Sequence, residues 1–183
     1  FGLHGQATVD DAILVYAEIG SGRRAPQLVS DADASQPFAI ATESPRRTTT
    51  LIGGSYTFED GQTLTLEYLH DAHGYTAAEE RAYFQRAQTL PGLALGLMPR
   101  LLGRDYLHLV WQSNLLDESG YGRLMLSRNL GDGGMELAAY GERSLSSHFS
   151  AYALAVLPLG NARQEFSALY RYQLSVGLKI ALP

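Results

Sequence analysis

The segment that most constrains the fold of this chain lies near its C-terminus, from Tyr170 to Ile180. Its even-numbered positions are aromatic or aliphatic, and its odd-numbered positions, from Arg171 to Lys179, are polar, charged or glycine. Successive side chains of a β-strand point to opposite faces, so the pattern predicts one long strand with an apolar face and a polar face. Eleven alternating residues exceed the usual strand of about 5–6 residues, but they match the roughly 9–11 that a tilted strand needs to cross a bilayer.

Segments upstream repeat this alternation over shorter stretches. They lie at 12–19, 50–58, 62–68, 106–113, 123–130, 135–142 and 150–159. Several short strands separated by turn residues indicate an all-β fold, and with the last strand they predict about eight antiparallel strands. Residues 1–10, with Gly2 and Gly5, carry no clean alternation and are interpreted as a lead-in from upstream sequence.

The predicted connections differ in length between the two ends of the sheet. The turns at one end are 59–61, 117–122 and 144–147, and the connections at the other are 20–47, 70–103, 131–134 and 159–163. Both long connections therefore fall at the same end. Outer-membrane barrels have short periplasmic turns and longer outer loops, so this asymmetry favours a membrane barrel over a soluble one.

The two long connections differ in character. The first contains Pro26, Pro37 and Pro45 and predicts a mobile, exposed loop. The second contains strong helix formers that follow a capping-box pattern at Thr76 and Glu79, which predicts a short helix over 76–90 that ends before Pro91. That helix would narrow the lumen, form an outer lid or pack over the rim.

Composition excludes several classes of protein. The 14 Lys and Arg residues against 19 Asp and Glu give a net charge of −5, and no basic run exceeds two residues, which argues against nucleic-acid binding. The absence of cysteine excludes disulfides, thiol catalysis and cysteine-ligated metals. No apolar stretch approaches the roughly 20 residues of a transmembrane helix, whereas strands of alternating polarity average out in a hydropathy scan.

With these features the chain resembles the C-terminal part of a Gram-negative outer-membrane β-barrel of the porin-like kind. The resemblance extends over most of 48–182. It rests on the strand Tyr170 to Ile180, on tyrosine-rich hairpins such as Ser55-Tyr56-Thr57-Phe58 and Leu66-Glu67-Tyr68, and on the loop asymmetry. It implies an antiparallel up-and-down transmembrane barrel in the outer membrane, in contact with lipids and small solutes. One departure is the end of the sequence, Ala181-Leu182-Pro183, where such barrels typically finish on an aromatic residue.

Two architectures fit the resemblance over residues 1–183. One is a closed barrel of eight strands filled by side chains, and the other is the last section of a larger barrel completed by further strands or another chain. Charges on the predicted inner face need partners in a small barrel and are easily hydrated in a wide lumen, which favours the larger barrel. The candidate lumen-facing residues are Glu67, His108, Arg123, Glu136, Glu142, Arg171 and Lys179.

Two short motifs suggest chemistry but have simpler interpretations. His70-Asp71-Ala72-His73 contains metal-ligand residue types, yet it lies at a strand-to-loop junction where polar residues are ordinary. His148-Phe149-Ser150 is similar to the His-x-Ser arrangement of an outer-membrane lipid A deacylase, but neither Glu142 nor Glu165 is convincing as a third member. We therefore predict no catalytic residues, metal or cofactor.

The leading functional hypothesis is a passive pore or transport channel, or a membrane scaffold, in the outer membrane. Charges of the lumen and the 76–90 helix would set selectivity. One alternative is a soluble, lipocalin-like barrel that binds an apolar ligand, which would turn the apolar side of the last strand inward. The other is a barrel-embedded, lipid-modifying enzyme that uses His148 and Ser150.

Overall fold

The computed structural model describes residues 1–23, 27–29, 39–41, 45–87, 101–114 and 119–180. Its elements are, in chain order, β1 (Gly2–Thr8), β2 (Ile13–Gly22), β3 (Gln27–Val29), β4 (Ala39–Ala41), β5 (Arg47–Thr57), β6 (Thr63–Asp71), α1 (Ala77–Ala87), β7 (Asp105–Gln112), β8 (Gly120–Asn129), β9 (Met135–Ser144), β10 (Phe149–Leu159), α2 (Glu165–Leu169) and β11 (Gln173–Ile180). The all-β prediction is confirmed.

Nine of the strands form one antiparallel sheet in the order β1-β2-β5-β6-β7-β8-β9-β10-β11. Each strand pairs with the next in the chain, except that β2 pairs directly with β5 because β3 and β4 form a separate hairpin. Among the described residues, β1 and β11 each have one strand neighbour, and the sheet is not closed into a barrel.

The large sheet has one strand more than the predicted eight, because residues 2–8 form β1 and not a lead-in, and the hairpin of β3 and β4 lies within the connection predicted as a loop. Residues 2–8 pair with β2 from Gly2 opposite Gly20 to Thr8 opposite Leu14. The segment lacks the alternation that marks the other strands, so its conformation depends on hydrogen bonding to β2 and not on a local pattern.

The predicted start of the last strand is also wrong. Pairing of β10 with β11 begins at Val156 opposite Gln173, and the preceding residues form α2 and a bend. Tyr170 lies before the paired residues of β11, and its hydroxyl donates a hydrogen bond to a carboxylate oxygen of Glu136 on β9. The alternation continues into this connection without the backbone pairing that defines a strand.

The register gives the sheet two chemically distinct faces, because directly opposite residues share a face and neighbours along a strand alternate. We call one the apolar face; its exposed large apolar side chains include Val15, Ile19, Ile52, Leu64, Leu66, Leu107, Leu109, Leu124, Leu157, Leu174, Val176 and Leu178. Trp111, Leu126 and Leu137 on this face are half-buried, and Arg128 and Arg143 lie at its two ends. We call the other the polar face; it includes Tyr16, Glu67, Tyr106, His108, Arg123, Ser127, Asn129, Glu136, Tyr140, Glu142, Tyr152 and Lys179.

The two ends of the sheet differ as the sequence predicts. The turns 9–12, 58–62, 113–119 and 145–148 lie at one end, the short-turn end, and the connections 23–46, 72–104, 130–134 and 160–172 lie at the other, the long-loop end. Gly61 adopts a φ of 83° in one short turn, a conformation that favours glycine. Parts of these connections, including most of the predicted turn near residue 117 and much of both long loops, lie outside the described residues.

Over the polar face at the long-loop end lies a small cap, which we define as Tyr75, α1, 101–103 and α2. The capping box of α1 is confirmed: the Thr76 N–H donates to Glu79 Oε2 at 2.7 Å, and the Glu79 N–H donates to Thr76 Oγ1 at 3.3 Å. The buried core of the cap consists of Tyr75, Tyr83, Phe84 and Leu102. The predicted end of this helix before Pro91 lies outside the described residues.

Candidate functional site

The polar face carries a row of ionisable side chains across its middle. Glu67 on β6 lies opposite His108 on β7, His108 lies opposite Ser127 on β8, and Ser127 lies opposite Glu136 on β9. His108 Nδ1 lies 2.8 Å from Ser127 Oγ. Three of the candidate lumen-facing residues therefore share one row of the same face.

A second group lies nearer the short-turn end of the polar face. Lys179 on β11 donates to a carboxylate oxygen of Glu142 and, at 3.0 Å, to the Tyr140 hydroxyl. Its ammonium group also lies 5.6 Å and 5.7 Å from the ring centroids of Tyr140 and Tyr152. Lys179 and Glu142 thus reach across the intervening strand β10 to form one charged and aromatic cluster.

The remaining two candidates are placed differently. Arg123 is on the polar face, opposite Gln112 and Tyr140. Arg171 is exposed in the bend before β11 and takes no position on either face, because the strand starts at Gln173. The prediction of a strand through Arg171 is therefore wrong.

Tyrosine rings lie across glycines on this face. A Cβ atom at Gly53 would fall 2.6 Å from Tyr16 Cζ, and a Cβ at Gly177 would fall 2.5 Å from the Tyr152 hydroxyl. The Tyr16 hydroxyl crosses over β5 and donates to Glu67 Oε1 at 2.5 Å. Because Gly53 has no side chain, the Tyr16 ring of β2 can lie over β5 and reach Glu67 of β6.

Gly53→Val is expected to lower the free energy of unfolding by about 1–3 kcal/mol, because the branched side chain takes the space of the Tyr16 ring. Gly54→Val on the opposite face is the matched control, since its Cβ would come no closer than 3.4 Å to another atom. That variant is expected to change stability by about 0.5 kcal/mol or less. Urea unfolding from detergent micelles measures both, and equal losses would contradict the role given to Tyr16.

The cap is joined to the sheet by a buried cluster of carboxyl groups around Asn129. The Asn129 amide donates to Glu80 Oε1 at 2.6 Å and to Glu165 Oε2 at 2.9 Å. The Tyr106 hydroxyl donates to Glu165 Oε2 at 2.5 Å, and the Leu102 N–H donates to Glu165 Oε1 at 2.5 Å. Both helices of the cap therefore bind the same amide group at the end of β8.

Burial controls the protonation of this cluster. Desolvation raises the pKa of Glu80 to about 8, partly opposed by the hydrogen bond from Asn129 and reinforced by the nearby charge of Asp132. Desolvation also raises the pKa of Glu165. Glu80 Oε2 has no hydrogen-bond partner in the described part of the chain, as suits a carboxyl group that stays protonated at neutral pH.

The sequence did not identify this cluster, whose members are separated by 49 and 36 residues. One local pattern could have indicated that Glu80 is buried. Glu80 precedes Tyr83 and Phe84 by three and four residues, so it shares the aromatic face of α1 and is drawn into the core with it. A carboxyl group on the buried side of a helix indicates a polar partner elsewhere in the fold.

The two motifs that suggested chemistry are not assembled into sites. His70 Nδ1 lies 2.7 Å from Asp105 Oδ1, whereas His73 Nε2 lies 3.2 Å from the Gly22 carbonyl oxygen. Within the described ranges, no group of three or more His, Asp or Glu side chains is arranged to hold a metal ion. His148 Nδ1 lies 2.9 Å from Ser147 Oγ, and Ser150 is on β10 opposite Lys179.

No family model, curated protein or solved structure matches this chain. None of the helices in the described residues is long and apolar enough to cross a membrane. The functional interpretation therefore rests on the two faces of the sheet, its unpaired edges and the cap.

Proposed function

We propose that this chain forms part of the wall of an integral outer-membrane β-barrel, which serves as a passive pore or transport channel or as a membrane scaffold. The observation that carries the proposal is the difference between the two faces: the apolar face exposes most of the large apolar side chains of the sheet, whereas the long-loop end of the polar face lies under the cap. In a water-soluble protein the large apolar side chains are expected on the covered side.

The exposed apolar side chains form a continuous surface across the strands. On β6 the exposed residues are Leu64, Leu66 and Tyr68, whereas Thr65 and Glu67 between them are half-buried. Monomeric soluble proteins rarely expose apolar patches larger than a few hundred Å². Transferring each such leucine from water into lipid is worth about 1.5–3 kcal/mol, so a bilayer stabilises this surface and water does not.

The height of this surface suits a bilayer. The two longest strands of the sheet, β5 and β10, have 11 residues each, which span about 33 Å at about 3.3 Å per residue. A strand tilt of about 40° reduces this to about 25 Å, the height of the apolar band of outer-membrane barrels. Tyr56 and Trp111 lie on the apolar face toward the short-turn end and Tyr68 toward the long-loop end, where aromatic girdles are expected.

The polar face carries charged side chains of both signs, as the wall of a passive, water-filled lumen requires. Glu67, His108 and Glu136 form its central row, and Arg123 with the Lys179–Glu142 pair lies nearer the short-turn end. Charges of both signs on one wall favour hydrated small solutes and set ion selectivity through their balance. The cap covers the long-loop end of this wall and is therefore positioned to restrict passage.

The two alternatives have less support. A lipocalin-like protein would bind its apolar ligand against an apolar inner face, but the polar face, whose long-loop end lies under the cap, carries carboxyl groups, histidine and tyrosine hydroxyls. A lipid-modifying enzyme would need His148 and Ser150 to act together, but His148 contacts Ser147, and Glu142 is bound by Lys179.

Spin labels on adjacent residues of opposite faces test the proposal. The chain has no cysteine, so Leu109→Cys and Leu124→Cys label the apolar face, and His108→Cys and Arg123→Cys label the polar face as matched neighbours. In lipid vesicles we expect oxygen to relax the labels at 109 and 124, and a water-soluble nickel complex to relax those at 108 and 123. Labels at 109 and 124 that are accessible to nickel in vesicles would contradict membrane insertion.

A measurement of conductance then separates pore from scaffold. Stepwise currents in planar bilayers, with a selectivity that changes in the Lys179→Gln variant, would support a pore, because Lys179 lies on the proposed lumen wall. Insertion without current would support a scaffold.

A further inference from the structure

The two buried carboxyl groups of the cap are unequally supplied with hydrogen-bond donors. Glu165 accepts three hydrogen bonds, from the Leu102 N–H, the Tyr106 hydroxyl and the Asn129 amide. Glu80 accepts one, from the Asn129 amide to Oε1, and its Oε2 has no partner within the described ranges. Because donors stabilise a carboxylate, Glu165 is better suited to carry a charge and Glu80 to carry a proton.

The backbone closes around the Glu80 carboxyl group, which is 0% exposed. A Cβ atom at Gly103 would fall 2.4 Å from Glu80 Oε1, and a Cβ at Gly131 would fall 2.6 Å from Glu80 Oε2. The two oxygens therefore lie against glycine backbone from the cap on one side and from the 130–134 turn on the other. An ionised Glu80 would lose its hydration on docking and gain no further donor in exchange, so its charged form is costly here.

The charges around Glu80 do not offset that cost. The titratable groups that act on it are Tyr106 on β7, Asp132 in the 130–134 turn, Glu165 on α2 and Arg81 on α1 itself. Arg81 is exposed, so water screens its positive charge. A negative charge on Glu80 would therefore face the acidic side chains of Asp132 and Glu165 with one screened cation to oppose them.

We propose that the cap is a proton-controlled gate over the long-loop end of the polar face. While Glu80 is protonated, α1 stays docked on Asn129. When Glu80 releases its proton to the solvent, the carboxylate regains its hydration by leaving the sheet, and α1 moves away with it. This inference rests on the proposed pore, because release of the cap alters passage only where the polar face lines a lumen.

Burial fixes the direction of the pH dependence. Desolvation raises the pKa of docked Glu80 to about 8, whereas an exposed glutamate has a pKa of about 4.3. The docked state therefore binds the proton more tightly, and docking is strongest below about pH 4. It weakens by up to about tenfold per pH unit between these two pKa values and levels off above the higher one. The gate is thus expected to close in acid and to open in mild alkali.

Two spin labels measure docking in the full chain in lipid vesicles. Ala78→Cys labels the exposed side of α1, and Arg128→Cys labels an exposed position on β8 next to Asn129. The chain has no other cysteine. Between about pH 6 and about pH 9 we expect the docked fraction to fall several-fold, as one narrow label-to-label distance gives way to longer, broader ones.

Three variants separate the charge of Glu80 from a merely structural role. Glu80→Gln keeps the side-chain shape and an acceptor for Asn129 but cannot ionise, so it is expected to stay docked throughout. Glu59→Gln, at an exposed position in a short turn, is the matched control and should keep the pH dependence. Arg81→Gln should move the transition to higher pH by about 0.2–0.7 unit, because this cation favours the charged form of Glu80.

A docked fraction that does not change with pH would overturn the proposal, and so would a transition that persists in Glu80→Gln. If Glu80→Gln fails to dock at any pH, Arg81→Gln decides, and an unmoved transition there rejects the gate. The oxygen response of the label at Leu109, measured in vesicles of the same composition, separates this failure from a failure of membrane insertion.

Discussion

Leu66→Arg is expected to lower the free energy of unfolding from a bilayer by about 2–4 kcal/mol, the cost of a cation on the lipid-facing side of a barrel near its midplane. Leu66 lies on the apolar face between Gly54 and Leu109, two residues from the position of Trp111 on one side and four from that of Asp105 on the other. In lipid, the guanidinium group would lose water without gaining a partner on this face.

The adjacent substitution Thr65→Arg is the matched control. Thr65 lies between Ser55 and Val110 on the polar face, where a long cationic side chain reaches hydrated space and the carboxyl group of Glu67. We expect a change of about 1 kcal/mol or less. Both variants place the same side chain on the same strand, one residue apart, so only the face differs.

Urea unfolding of the two variants in lipid vesicles measures this difference. A water-soluble barrel would give the reverse order, because Leu66 is 51% exposed and its replacement would be harmless, whereas Thr65 would face a filled interior. A larger loss for Thr65→Arg than for Leu66→Arg would therefore reject the membrane assignment.

Asn129→Leu is expected to destabilise the docking of the cap by about 3–5 kcal/mol, because two buried carboxyl groups lose a shared donor. The substitution also removes the oxygen that accepts the N–H groups of Gly131 at 2.8 Å and Asp132 at 3.3 Å. Leucine has the same branched arrangement of side-chain heavy atoms and a larger volume, so the loss arises from unsatisfied polar groups and overpacking and not from a cavity.

Hydrogen exchange of the α1 backbone, followed by mass spectrometry, measures how firmly the cap is held. The exposed Asn161→Leu is the control for the change of residue type, with an expected effect of about 1 kcal/mol or less. Adding Glu80→Leu to Asn129→Leu should recover part of the loss, since one unsatisfied carboxyl group is removed with the donor. Unchanged exchange in Asn129→Leu would show that the aromatic core of the cap suffices to hold it.

The alternation in the sequence predicted most of the sheet correctly because it is a local property. Residues such as Leu64, Leu66 and Tyr68 recur at every second position, and a strand of any register places them on one face. The capping box at Thr76 is local for the same reason, since its two hydrogen bonds join residues three apart. The placement of short turns at one end and long connections at the other was also predicted, because successive connections between antiparallel strands lie at alternate ends of the sheet.

The errors occurred where pairing, not pattern, decides the conformation. β1 has no alternation of large apolar and polar residues, yet seven of its residues pair with β2. The opposite happened near Tyr170, where alternation continues but the chain bends and its hydroxyl binds Glu136. A periodic pattern indicates which residues can form a strand with one apolar face. Backbone hydrogen bonds with the adjacent strand determine where the strand begins.

The sequence by itself determined that this chain forms a sheet with one apolar and one polar face. Apolar and polar residues alternate along the chain with the two-residue period of a strand, and this pattern is visible in any short segment. Only the tertiary structure decided that large apolar side chains of the apolar face are exposed, that Asn129 joins Glu80 to Glu165, and that β1 and β11 are the outer strands of the sheet in the described part of the chain. Each of these depends on contacts between residues far apart in the chain. No local pattern specifies which distant groups share one buried amide or which strand has no neighbour.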